Sequence, residues 1–211
     1  MTDLEKFLVF SYFKITDKDS EEEIILKCAK RAYLDLCRTL RFNNNSEKEH
    51  VAFCEHVSKK IVEEIQNIPL TLEMEDFDDA HSEICGRIIA FATNYPSKNS
   101  SYKLLAETEE TKKSFNYGQA QKWLNMTLKY MYLLDCRSNF FEKYSSFLHV
   151  PVDRYIIEKA EGIIENIPAN AWSQWEESTY IKFQSDLRTA LKEKSPIDWE
   201  ADTWIDIAKN K

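Results

Sequence analysis

Apolar residues recur along most of the chain at intervals of three and four, the period of helices with one buried face. The spacing predicts a first helix from about Asp3 to Lys14. Ser20 and Glu23 form a capping box that opens a second helix, running to about Phe42, where Asn43, Asn44 and Asn45 break it. Ser46 with Glu49 repeats the capping pattern ahead of apolar or small residues at 51, 54, 57, 61, 62 and 65, and Ile68–Pro69 ends that helix. Residues 75–93 continue with Phe77, Ile84, Ile88, Phe91 and Ala92. The chain then turns polar from Tyr95 to Asn116, with one short helix over 102–107. A dense apolar helix over 118–135 is followed by a linker over 136–150 and a helix from Asp153 to Asn166. Ser173 with Glu176 caps the next, which carries Trp175, Tyr180, Phe183, Leu187 and Leu191. The last starts near Ser195–Pro196 and holds Trp199, Trp204 and Ile205. No stretch alternates with the period of a strand. The expected fold class is all-α, an irregular two-lobed helical domain. Its parts are an N-terminal lobe over 1–95, a middle segment over 96–170, and C-terminal helices over 171–211 packing on the lobes. They form one compact unit hinged near 95–116.

Composition narrows the function classes. The chain has 211 residues and only 3 glycines, and neither GxGxxG nor GxxxxGK[ST] occurs, which excludes dinucleotide and P-loop phosphate sites. The five cysteines (28, 37, 54, 85 and 136) are odd in number, widely spaced and without CxxC, as expected of buried thiols in a reducing compartment. No apolar run reaches the length of a membrane span, and Asp3, Glu5 and Lys6 ahead of a short apolar run do not make a leader. A cytoplasmic, membrane-free monomer is expected. The net charge of −8 argues against a polyanionic ligand until its distribution is considered. Residues 111–160 carry 8 basic and 4 acidic groups, a basic band between acidic ends. Such a band would suit a protein that meets nucleic acid on one face.

The band holds the most informative residues. Gly118 precedes a helix whose early turns hold Lys122. Backbone amides at Tyr117, Gly118, Gln119 and Ala120 would point outward there and favour a phosphate. Further on, His149–Val150–Pro151–Val152–Asp153 leads into another helix with Asp153 as its N-cap. GQAQK at 118–122 and HVPVDRYI at 149–156 resemble the core of the helix-hairpin-helix DNA glycosylases, above all the 8-oxoguanine DNA glycosylases. The likeness covers about 45 of the 211 residues. Only one hairpin glycine is present, so the hairpin would be degenerate. Asp153 follows Lys122 by 31 positions, a spacing similar to the archaeal type.

The resemblance implies excision of a damaged or modified base from double-stranded DNA, without a cofactor or metal. The roles it suggests are DNA repair or defence against phage. The first expected target is 8-oxoguanine, and the second a hypermodified viral base. Lys122 would be the nucleophile and Asp153 its electrostatic partner, because breaking an N-glycosidic bond develops positive charge at the sugar carbon. A neutral amine is required, and a Schiff base to the opened sugar would permit abasic-site lyase activity. Tyr117, Gly118, Gln119, Ala120 and Gln121, with His149 and Arg154, are the expected DNA contacts. Trp123 and Trp199 are candidates for stacking on an extruded base. His149 has an alternative reading as a satisfied turn histidine, and Trp175 and Trp204 read as core.

Two other constellations stand apart. His50-x3-Cys54 and His81-x3-Cys85 would make a Cys2His2 zinc site if their helices ran antiparallel, although buried thiols explain the cysteines. The acidic runs at 21–23 and 73–79 read as solvated helix starts. A competing functional reading is a non-catalytic helical module that binds protein or nucleic acid.

Overall fold

The computed structural model describes residues 1–40, 42, 47–95, 115–192 and 194–209, with the side chains at 74, 75, 207 and 208 excepted. These residues hold nine α-helices and no strand element. They are α1 (Asp3–Phe13), α2 (Glu21–Tyr33), α3 (Glu47–Gln66), α4 (Met74–Thr93), α5 (Tyr117–Leu133), α6 (Ser138–Tyr144), α7 (Arg154–Ala160), α8 (Glu177–Leu191) and α9 (Pro196–Lys209). The Asn43–Asn45 break, the Ser46 cap and the short helix expected over 102–107 lie outside the described residues.

Local chemistry sets several ends. Thr2 with Glu5 forms a capping box for α1, and Ser20 with Glu23 does so for α2. Lys14 closes α1 at φ 62°, in the left-handed region. Pro196 opens α9, where its missing N–H costs nothing.

Elsewhere tertiary packing overrides the pattern. α2 stops at Tyr33 instead of running to Phe42. The amides of Leu34, Asp35 and Leu36 reach back three residues instead of four, and Cys37–Thr39 winds as a 3-10 turn. This tighter path buries Leu36 and Leu40. The expected linker over 136–150 instead contains α6, which buries Phe140, Phe141 and Tyr144. The helix from Asp153 ends at Ala160, short of Asn166. Ser173 and Glu176 do not make a capping box. Trp172–Gln174 is a 3-10 turn, and α8 begins only at Glu177. Trp175, placed on that helix by sequence, precedes it and is buried, whereas Trp204 is 49% exposed.

α5 is the axis of the molecule. α2, α4, α8 and the Trp172–Gln174 turn pack against it, α3 packs on α2 and α4, and α7 packs on α9. Every residue from Tyr117 to Met131 is buried. Trp123 on α5 lies between Tyr33, Phe53 and Phe115, and its Nε1 donates to Ala29 O at 2.8 Å. The buried apolar residues join in one continuous cluster. A helix buried on all sides must satisfy its polar side chains internally. α5 carries six of these: Gln119, Gln121, Lys122, Asn125, Thr127 and Lys129. Their partners define the site.

Candidate active site

Residues 149–153 cross the flank of α5 outside any helix, and side chains of α5 and α8 fix them. Gln184 of α8 accepts from Val150 N at 3.2 Å and donates to Val150 O at 2.9 Å, as a neighbouring strand would. Gln121 donates to Val152 O and also to Gly118 O. Lys122 Nζ donates to Pro151 O at 3.0 Å and to Asp153 Oδ2 at 2.8 Å. Asp153 Oδ1 caps α7, accepting from the amides of Tyr155 and Ile156. One carboxylate oxygen thus holds the helix and the other holds the lysine.

The two partners differ in access. The Lys122 side chain is 3% exposed and that of Asp153 is 21% exposed, so the carboxylate is the part of the pair that meets solvent. Burial pushes the Asp153 carboxyl up, but the Lys122 ammonium and the α7 amides outweigh that and hold it below the ordinary aspartate value. The local arrangement is an amine and a carboxylate in contact, each positioned by the start of a helix or by rigid backbone. Such a pair can stabilise a cationic carbon and supply a nitrogen nucleophile.

A second buried pair lies two turns along α5. Lys129 Nζ is 2.5 Å from Glu200 Oε2 of α9, with side chains 8% and 1% exposed. Burial raises the Glu200 carboxyl above its ordinary value, and the Lys129 and Lys122 charges only partly oppose this. Glu200 also feels the charge of Asp153, so the two pairs form one electrostatic unit. Trp204 lies beside it, with Lys129 Nζ 5.8 Å from its ring centre. The sequence pattern gave no hint of this pair, because a lysine on a helix reads as solvated.

From Gln121 a chain of hydrogen bonds runs away from the pair. Asn125 donates to Gln121 Oε1 and to the Tyr180 hydroxyl. Tyr180 reaches His149 Nδ1 at 3.1 Å, and His149 Nε2 lies 2.7 Å from Asp78 Oδ1. Arg188 donates to both oxygens of Asp78. His81 Nε2 donates to Asn125 Oδ1, and Tyr117 contacts His81 Nδ1. Every member has a partner when both histidines are neutral: His149 donates to Asp78 and accepts from Tyr180. Burial lowers His149 and holds His81 well below its ordinary value, although Asp78 opposes the shift at His149. Asp78 is pushed up by burial, but His149 and Arg188 overcome this and hold it well below the usual carboxylate range.

These shifts predict acid sensitivity. The unfolded chain binds protons at its histidines near pH 6.5, which the folded His81 and His149 refuse, so stability is full above that pH and falls below it. Glu200 acts in the opposite sense above its unfolded value. Asp78 and Asp153 add their loss only below about pH 4. The melting temperature is expected to drop by about 3 °C or more from pH 8 to pH 5.5, since about 1 kcal/mol moves a domain of this size by 2–4 °C. A flat melting temperature over that range, read by circular dichroism, contradicts the neutral-histidine network.

Several expected roles are redirected. Three of the four amides expected to bind phosphate at the start of α5 are taken. Gly118 N donates to Trp175 O at 3.0 Å, and those of Gln119 and Ala120 turn to Asn116 O. The Trp172–Gln174 turn lies so close that Gly118 is the only residue type that fits. Gln119 completes a capping box with Asn116 and donates to Thr39, and Tyr117, Ala120 and Gln121 are buried. His149 is 2% exposed and belongs to the hydrogen-bonded chain. Trp123 is 0% exposed and fills the core, so no base can stack on it. Trp199 is half-buried on α9, the helix that supplies Glu200. Of the expected DNA contacts, Arg154 alone is exposed, directly after Asp153.

Among the described residues the basic band is only partly a surface: Lys143, Arg154 and Lys159 are exposed, and the other three cations turn inward. Lys122 and Lys129 are buried in ion pairs, and Arg137 pairs with Glu21 and donates to Ile65 O. Lys112 and Lys113 lie outside the described residues. The run at 73–79 is more than a solvated helix start, since Asp78 engages His149 and Arg188. A cleft of about 400 Å³ beside it is lined by Asp78, Asp79, Glu176 and Glu177, which repel phosphate. His50 contacts the Tyr33 hydroxyl and His81 contacts Asn125, so the two histidines turn to different partners. Among the described residues no group of three or more His, Cys, Asp or Glu could hold a metal ion, and no helix is long and apolar enough to cross a membrane. Comparison with protein families, curated proteins and solved structures finds no match.

Proposed function

We propose that the protein is a DNA N-glycosylase that removes a modified base with Lys122 as nucleophile and Asp153 as electrostatic partner. The observation that carries this reading is the 2.8 Å contact between Lys122 Nζ and Asp153 Oδ2, made by a buried amine and a partly exposed carboxylate. The resemblance of residues 118–122 and 149–156 to the helix-hairpin-helix glycosylases agrees with it. The phosphate site at the start of α5 forms no part of the proposal, because three of its four amides are occupied. Arg154 is the exposed cation beside the pair. The two-lobed division and the degenerate hairpin belong to the same reading.

Lys122 passes a proton to water, which returns one to the departing base, and the freed amine attacks the sugar carbon of the extruded nucleotide. The glycosidic electron pair leaves with the base, which is protonated. The Asp153 carboxylate stabilises the positive charge of the sugar in the transition state. Ring opening converts the adduct to a Schiff base, and water regenerates the amine. Before that hydrolysis, loss of a C2′ proton to water and departure of the 3′-phosphate break the backbone by β-elimination.

Duplexes each carrying one lesion, 8-oxoguanine and a bulky hypermodified pyrimidine included, test the reading by alkali-revealed abasic sites and borohydride trapping. Asp153→Asn is expected to lower base release about 10³-fold, the scale of losing one preorganised electrostatic partner. The amide still caps α7, so the fold should survive with a reduced melting temperature. No alkali-labile site with any duplex overturns the reading. In that case Lys122–Asp153 is a structural ion pair in a non-catalytic helical module.

A further inference from the structure

We propose that α1 is a dimerisation element whose occupant is α1 of a second copy, lying antiparallel across a two-fold axis. This inference is independent of the proposed reaction and departs from the monomer expected from sequence. No residue of α1 is buried. Its inner side rests on the molecule through Val9 and Phe13, which are partly buried against the core. Tyr12 stands edge-on to Tyr130, with the Arg31 guanidinium 4.0 Å from its ring centre. The opposite side carries Leu4, Phe7, Leu8 and Ser11, spaced i, i+3, i+4 and i+7, the seam of a helix that packs on another helix. Leu4, Phe7 and Leu8 are 66%, 65% and 55% exposed, and Phe10 at the seam's edge is 47% exposed. This stripe faces away from its own core.

Three observations favour a second copy as its cover. The stripe is self-complementary. In antiparallel register Phe7 meets Leu8 of the partner subunit, and Leu4 meets the small Ser11 of the partner subunit, which leaves room for it. The charges also complement: Asp3 flanks the stripe in the first turn, and Lys14 flanks it at the C-cap. In this register Asp3 lies opposite position 12 of the partner subunit, and the partner subunit's Lys14, about 3 Å further along the axis, is within reach of it, while the two helix dipoles oppose favourably. A parallel pair would bring like ends together. Finally, Leu4, Phe7, Leu8 and Phe10 expose on the order of 400 Å² of apolar side chain, taking 150–250 Å² for each aromatic. With flanking polar groups this makes a small interface, below the roughly 800 Å² per partner of a standard one, as suits a dimer that forms at micromolar concentration.

The test is sedimentation equilibrium of the full chain, untagged at its N-terminus, from about 1 to 200 µM. The expected result is a species of twice the 24.9 kDa chain mass. Leu8→Glu, which puts a charge at the centre of the seam, is expected to weaken association about 100-fold or more. Its melting curve should match the wild type, because Leu8 touches little of its own chain. Lys14→Asp alone should weaken the dimer, and Asp3→Lys with Lys14→Asp should restore it. A monomer throughout, binding of anionic vesicles by a monomer, or a dimer indifferent to Leu8→Glu overturns the proposal. Failure of the charge swap to restore association overturns the antiparallel register.

Discussion

Lys122→Gln is expected to lower base release about 10³- to 10⁴-fold and to abolish the borohydride-trapped adduct, the scale of removing a nucleophile. A second effect accompanies it. Glutamine cannot neutralise Asp153, so a partly buried carboxylate loses its counter-charge, and breaking such a pair costs about 3–5 kcal/mol. Lys122→Arg separates the two roles. Arginine keeps the positive charge beside Asp153 and Pro151 O but has no neutral nitrogen to offer at any working pH. It should recover most of the melting temperature lost in Lys122→Gln and none of the activity. Base release by Lys122→Arg at near wild-type rate, measured under single-turnover conditions, removes Lys122 from the chemistry.

The second large effect is on stability. Gly118→Ala is expected to lower the melting temperature by about 6–12 °C, from a cost of about 3 kcal/mol, the upper end for overpacking, at 2–4 °C each. A Cβ at 118 runs into the Trp172 carbonyl oxygen and the Ser173 backbone, and neither is the flexible end of a side chain. Relief requires the Trp172–Gln174 turn to retreat, which breaks the bond from Gly118 N to Trp175 O. The start of α5 then loosens one turn from Lys122, so activity should fall with stability. Gly86→Ala is the control. Nothing lies within 4 Å of its added Cβ on α4, and the change should stabilise by up to about 1 kcal/mol. Equal melting temperatures for Gly118→Ala and wild type would mean that the turn does not sit on α5.

The part of this architecture legible in sequence was the part decided locally. Ser20 with Glu23 caps α2, Pro196 opens α9, and Asp153 caps α7, each through contacts within a few residues. The ending of α2 was not legible, because it depends on Leu36 and Leu40 finding places in the core. Ser173 and Glu176 have the spacing of a capping box, yet Trp175 instead gives its carbonyl to Gly118, far away in sequence. Periodicity reports which face of a helix is buried. α5 has no exposed face over Tyr117–Met131, so its pattern carried no such information. Lys122 stood out only through its resemblance to a known motif. Lys129, Asn125 and Gln121 had no such label, and a polar residue on a helix is ordinarily solvated. Glu200, Tyr180 and Gln184 became visible only once α8 and α9 were seen beside α5. Trp123 misled because aromatic rings near a reactive group fit a stacking role and a core role equally well in sequence.

The Lys129–Glu200 pair also bears on how the molecule assembles. Lys129 is made 71 residues before Glu200, the carboxylate that pairs with it. Until then the central helix holds an ammonium group with no counter-ion in a position destined to be dry. A chain stopped before residue 200 is therefore expected to stay open along that seam, because closing it would bury the Lys129 charge unpaired. α9 thus acts as a keystone for the central helix, because it brings the counter-charge to Lys129.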